Sequence, residues 1–229
     1  MEKIFESIGY EGNYQTLLIK INLLTGSLPI IYPLQIPYLT KYPNFFVTKR
    51  NEPNKIYEME YSHELCDSSL YQISKNPKKS IINWNYTFDL YCQKESYNTI
   101  FSSIIFVGGM IGTLLILPLP DKYGRAKVLK YSSFISLILH LNLLFSLGPN
   151  HLIVINFLGG MFGQICSIGY GLFTEFFRKN KNGLLIGIYN AIFPFWSYIF
   201  IFIFFISNTL EIFVFIYSIS SLLLYLYHI

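Results

Sequence analysis

Leu119-Pro120-Asp121-Lys122-Tyr123-Gly124-Arg125-Ala126-Lys127 is a short basic corner wedged between two long apolar runs. It gathers one acid, three bases and a turn-forming glycine where two helices have to meet. Charge packed that tightly beside lipid is costly unless it serves orientation or a conformational switch. The flanking runs, Tyr97–Leu119 and Val128–Leu147, are too apolar for the core of a water-soluble domain.

Working outward, four further runs reach or approach the roughly 20 residues that cross about 30 Å of hydrocarbon. They are Leu17–Tyr38, Leu152–Phe173, Leu184–Ile206 and Ile212–Tyr227. The bulk composition agrees. Of 229 residues, 52% are hydrophobic and only 13% charged, too few charges for an ordinary soluble surface. The fold expected is an all-α membrane protein, a six-helix transmembrane bundle. Residues 1–16 form a cytoplasmic segment, 17–38 span one, 39–96 an extracellular loop, and 97–229 spans two to six. Met1 to Gln15 has no apolar core, so no cleavable signal peptide is expected and span one serves as its own insertion signal.

Orientation follows from the short connectors. Lys122, Arg125, Lys127 and Lys130 lie between spans two and three, and Arg178, Lys179 and Lys181 between four and five. The opposite connectors, Gly148–His151 and Ser207–Glu211, carry no Lys or Arg. Basic connectors stay in the cytoplasm, which puts both termini inside and the long 39–96 segment outside. Long translocated loops escape the rule, so the eight bases in that segment do not oppose it. The net charge of +4 comes largely from connectors and gives no support to nucleic-acid binding.

The outer segment suits an oxidising face. It holds Cys66 and Cys92, and Asn85-Tyr86-Thr87 forms a glycosylation sequon. A Cys66–Cys92 bond would restrict the unfolded chain by about 3 kcal/mol; two free thiols and an unused sequon are the alternative. Cys166, within span four, reads as a small packing residue.

Within the spans, Gly108 and Gly112, and Gly159 and Gly163, share a helix face at four-residue spacing, where a neighbouring backbone can approach. Pro29, Pro33 and Pro37 predict a bent or interrupted span one. Polar side chains at membrane depth mark a candidate solute cavity: Gln164 and Asn190 foremost, with Tyr189 and Trp196. Tyr and Trp are also ordinary residents of membrane interfaces.

No catalytic constellation stands out. Ser167 lacks the paired glycines of a nucleophile turn, no phosphate loop occurs, and no His sits at metal-ligand spacing. The expectation is a protein that is not an enzyme, with no cofactor and no metal site, whose partners are the lipid bilayer and a small organic solute.

The corner resembles the signature loop of the major facilitator superfamily, Gly-x-x-x-Asp-Arg/Lys-x-Gly-Arg-Arg/Lys between spans two and three. Asp121, Lys122, Gly124 and Arg125 match; Leu117 replaces the leading glycine and Ala126 a base, with Lys127 one place later. Ile8 to Gln15 is similar to the entry segment of the organic cation and anion transporter branch. Phe88-Asp89-Leu90-Tyr91-Cys92 resembles that branch's Trp-Asp-Leu-Val-Cys, and Thr174-Glu175 its inner-loop start. A long cysteine-bearing outer loop belongs to the same branch, whereas sugar porters keep it shorter.

The resemblance implies half of a twelve-span fold, with solute held between two six-span bundles that rock about a midplane site. Asp121 and Arg125 would form a cytoplasmic charge latch, with Glu175, Arg178 and Lys181 beside it. Lys122, Lys127 and Lys130 read instead as inside-positive anchors. The facing wall then comes from a second six-span half, a homodimer or a partner, unless the chain is a truncated product. Transport of small organic ions at the plasma membrane is the function implied. A sugar or other facilitator porter, or a non-transporting truncated membrane protein, is the alternative.

Overall fold

A computed structural model describes residues 36–50, 55–60, 62–67, 69–76, 80–92, 95–145, 147–164, 167–171 and 179–207, with isolated positions beyond 214. Residues 1–35 lie outside that set, and with them the entry segment, Pro29, Pro33 and nearly all of span one. Span six falls largely outside it as well.

The first unit is one that the expectation of an all-α chain omitted. Strands β1 (Phe45–Lys49), β2 (Ile56–Met59) and β3 (Tyr71–Lys75) form an antiparallel sheet in the order β2-β1-β3. In β1, Phe45 and Val47 are fully buried while Phe46 is exposed and Thr48 half-buried, the two-residue alternation of a half-buried strand. Val47 stands opposite Tyr57 on one side and Ile73 on the other. Charge in β2 and β3 makes this stretch resemble a plain polar loop, although aromatic and β-branched residues favour a pleated surface. Phe45 and Val47 pack with Leu65 and Tyr91 into a small core, where the Phe45 and Tyr91 rings meet edge-on at 4.8 Å.

A short helix, α1 (Trp84–Phe88), carries this outer unit onto the bundle. Asn83 caps it, its side-chain oxygen accepting from the Tyr86 backbone N–H at 3.0 Å. Asp89 ends it in the left-handed region at φ 53°. Trp84, 1% exposed, meets Phe101 edge-on at 5.3 Å. Around that contact one cluster joins Ile36 and Leu39 before the sheet, Leu90 after α1, and Phe101, Ile105, Leu143, Leu152 and Ile155 of the long helices. The outer segment is therefore seated on the helix ends and shares their core.

The long helices are α2 (Glu95–Leu115), α4 (Arg125–Leu144), α5 (Pro149–Phe162) and α6 (Lys179–Ser207), with the short α3 (Leu119–Tyr123) between α2 and α4. Among the described residues two helical stretches are long and apolar enough to cross a membrane, Thr99–Tyr123 and Pro149–Gly171. They correspond to the expected spans two and four. α4 overlaps span three and α6 covers span five; the described residues do not show a six-span bundle.

Spans two and four pack backbone to backbone. A Cβ at Gly108 would collide with the Phe157 carbonyl, one at Gly112 with Met161, and one at Gly160 with the Ile105 carbonyl. The Gly108–Gly112 face is used as the spacing predicts. On the facing helix the register is one residue off: Gly160 makes the approach, Gly159 has open space, and Gly163 meets its own preceding turn. Two side chains fix the pair lengthwise. The Tyr97 hydroxyl donates to Asn150 Oδ1 at 2.8 Å at one end, and Gln164 Nε2 donates to the Gly109 carbonyl at 3.1 Å deeper in.

Candidate functional site: the inner corner and the outer clasp

The Leu119–Lys127 corner is built by two prolines and a glycine. Pro118 and Pro120 bracket Leu119 at the end of span two; α3 starts there with proline at its first turn. Gly124 then takes φ +89°, a conformation that L side chains rarely adopt, and turns the chain into α4. Its N–H donates to the Pro120 carbonyl at 2.9 Å.

This turn divides the charged residues between two sides. Asp121 and Arg125 line a cavity of about 170 Å³ together with Leu117, Pro120, Ser167, Ile168 and Gly171. The Arg125 guanidinium lies so close to Gly171 that a Cβ there would stand 2.8 Å from Nη1. Arg125 thus reaches across to the C-terminal end of span four, and Gly171 is small where the guanidinium passes. Leu117, standing where the signature has glycine, forms part of the apolar wall of the same cavity. Lys122 lies instead over the Tyr123 ring, 5.3 Å from its centroid. Of the other expected latch members, Glu175 and Arg178 lie outside the described residues. Lys181 sits near the start of α6, its side chain outside them.

Sequence reasoning missed Ser167 and Gly171 as members of this site. Gly171 precedes Thr174-Glu175 by three residues in the sequence, which was a usable signal.

The candidate solute cavity is not assembled among the described residues. Gln164 spends its amide on the Gly109 carbonyl between two spans. Asn190 is exposed on α6, and the side chains of Tyr189 and Trp196 on the same helix lie outside the described set. His140, buried in α4, has Nδ1 3.3 Å from Ser136 Oγ one turn earlier, a local contact.

In the 39–96 segment, Cys66 and Cys92 are joined by a disulfide, with Cα atoms 5.5 Å apart. Asn85 of the sequon is a buried residue. Asn85 is 1% exposed and its Nδ2 donates to the Thr40 carbonyl, so the nitrogen that would carry a sugar points into the protein. Asn83 acts beside it, its Nδ2 donating to the carbonyls of Tyr38 at 2.9 Å and Lys41 at 2.8 Å. The two amides stitch the end of span one to the start of α1. A sequon is a local three-residue pattern and carries no information about burial.

The Phe88–Cys92 motif accounts for the rest of this clasp. Asp89 pairs with Lys75 of β3 at 2.6 Å. The Lys75 ammonium also donates to the Tyr86 carbonyl at 2.5 Å and lies 4.7 Å from the centroid of the Tyr86 ring. Burial pushes the Asp89 carboxyl up, but hydrogen bonds from Lys75 and Tyr91 and the Lys75 charge outweigh it, and the net shift is downward. Tyr91 is pushed well above the usual phenol range, by burial first and by its bond to Asp89 second. Leu90 fills the shared core and Cys92 closes the disulfide.

Residues 42–190, well over half of the chain, match the family model described as sugar (and other) transporter. The chain belongs to the sugar (and other) transporter family. The matched stretch runs from the sheet through the inner corner into α6. A relative in Schizosaccharomyces pombe, described as the uncharacterized transporter mfc1, is 27% identical over 103 residues. That alignment covers 43% of this chain and 21% of the relative, so the matched stretch spans about a fifth of the relative's length. Family membership makes this a helical membrane protein of the major facilitator type.

Proposed function

We propose that this chain is the amino-terminal six-span half of a carrier that moves small organic ions by alternating access. The observation that carries the reading is the inner corner, where Asp121 and Arg125 share one cavity with the inner end of span four. Charges held between elements at a membrane end suit a latch that favours one of two states. A second six-span half would supply the facing wall of the solute path. In this reading both termini and the corner face the cytoplasm, the sheet and disulfide face outward, and the membrane is the plasma membrane.

Organic ions are favoured over sugars by the outer segment. Its Phe88–Cys92 stretch resembles the organic ion branch, and each of Asp89 to Cys92 has a structural task there. The test is uptake of a labelled organic cation, a labelled organic anion and a labelled hexose by cells making the full gene product, with Asp121→Asn as control. Saturable uptake of an organic ion, reduced about tenfold or more in the variant, is expected. Hexose uptake alone would move the protein to the sugar porters, and flat uptake of all three would remove the carrier reading.

A further inference from the structure

The inner corner has a second side that the latch does not use. Lys122 and Tyr123 are exposed before Gly124, and Lys127 and Tyr131 after it, with Lys130 half-buried beside them. Lys127, Lys130 and Tyr131 stand at i, i+3 and i+4 of α4 and so share one face. No Asp or Glu occurs from Lys122 through Leu144, and Asp121 lines the cavity with Arg125. Lys127 and Lys130 are thus left without a carboxylate on their own face of α4, and Lys122 stands on α3 just before the turn.

That face continues as an apolar one. Phe134, Ile138 and Leu141 follow Tyr131 at three- and four-residue steps, and all are exposed. Three cations and two phenols at one end of an exposed apolar stripe match an anionic headgroup joined to acyl chains. Tyrosine hydroxyls suit the headgroup level, where one end of the side chain is wet and the other dry.

We propose that Lys122, Lys127 and Lys130, with Tyr123 and Tyr131, bind the headgroup of an anionic glycerophospholipid whose chains lie along Phe134, Ile138 and Leu141. This goes beyond inside-positive orientation, because it requires one lipid class to be retained at one place. It rests on the membrane placement given above. Bound there, the lipid sits on the outer side of the corner that holds the latch.

The test reconstitutes the full chain in phosphatidylcholine vesicles containing spin-labelled phosphatidylserine or spin-labelled phosphatidylcholine, and measures the motionally restricted fraction of each. Phosphatidylserine is expected to be preferred by about fivefold. The preference should vanish in the Lys122→Gln, Lys127→Gln, Lys130→Gln variant and survive in the corresponding three-arginine variant, which controls for folding. Equal restriction of both lipids overturns the proposal, as does a preference that persists in the glutamine variant. Displacement by soluble glycerophosphoserine would assign the site to a free phosphate ester and overturn it too. Extraction of the chain from vesicles by alkaline carbonate would instead sink the membrane placement itself.

Discussion

At the residue scale, the outer clasp depends on two asparagines that side-chain chemistry alone would not single out. Asn83→Ala removes a helix cap and two buried amide bonds, and an N-cap alone contributes about 0.5–2 kcal/mol. Thermal unfolding of the purified protein should show a loss at the upper end of that range or beyond. Asn85→Gln should also destabilise, by about 1–3 kcal/mol, without changing electrophoretic mobility before or after glycosidase treatment. A mobility shift that depends on Asn85 would contradict its burial. Asp89 gives a pH signature. Its folded carboxyl is more acidic than the ordinary value of 3.8, so its stabilisation is present above that value and is lost as pH falls below it through the lower folded value. Tyr91 gives the opposite limb. Above the ordinary phenol value of 10.0 the unfolded residue ionises while the folded one resists, and stability falls. The acid limb should flatten in Asp89→Asn, as read from unfolding midpoints across pH. None of this geometry was legible in the sequence. The sequon pointed outward by its usual use, and only the carbonyls of Tyr38, Thr40 and Lys41 show why the amides turn inward.

At the scale of elements, spans two and four were plain in the sequence because apolar runs of bilayer length have few other uses. Their glycine contact was half legible. Gly108 and Gly112 were identified, but Gly159 and Gly160 are adjacent, and spacing cannot say which one a facing backbone selects. The structure separates them in a way that mutation can check. Alanine in place of a helical glycine ordinarily gains up to about 1 kcal/mol. Gly159→Ala should follow that trend, while Gly160→Ala and Gly108→Ala should lose about 1–3 kcal/mol through overpacking. Folded yield and thermal stability in detergent would show the contrast; equal behaviour of Gly159→Ala and Gly160→Ala would contradict the packing. The sheet was illegible for another reason. Phe45 and Val47 provide a short inward alternation, and Glu58 of β2 and Lys75 of β3, with the charged links around them, mask it as solvated loop.

At the scale of the whole molecule, the outer unit and the helices stand or fall together, because Leu39, Trp84, Leu90 and Phe101 share one cluster. Reduction of the Cys66–Cys92 bond should therefore lower the stability of the entire described fold, by about 3 kcal/mol if unfolded-chain restriction dominates. A reducing agent should shift a single cooperative transition; loss of a separate early transition would mean that the two parts unfold independently. The six-span scheme makes a further demand. A single cysteine at Lys130 and one at Asn150 should label from opposite sides of the membrane. The division of the inner corner into an inward Asp121–Arg125 side and an outward lysine side was legible only in part. The signature resemblance identified the inward pair, whereas Gly171, which leaves room for the guanidinium, lies far along the chain.

The seating of the outer segment also constrains how such a protein can diverge. Length changes between residues 83 and 92 would tear the amide stitches and the disulfide from their seats at the mouth of the bundle. Insertions in kindred chains are therefore expected in the link between β1 and β2, where the flanking strand β2 is exposed throughout.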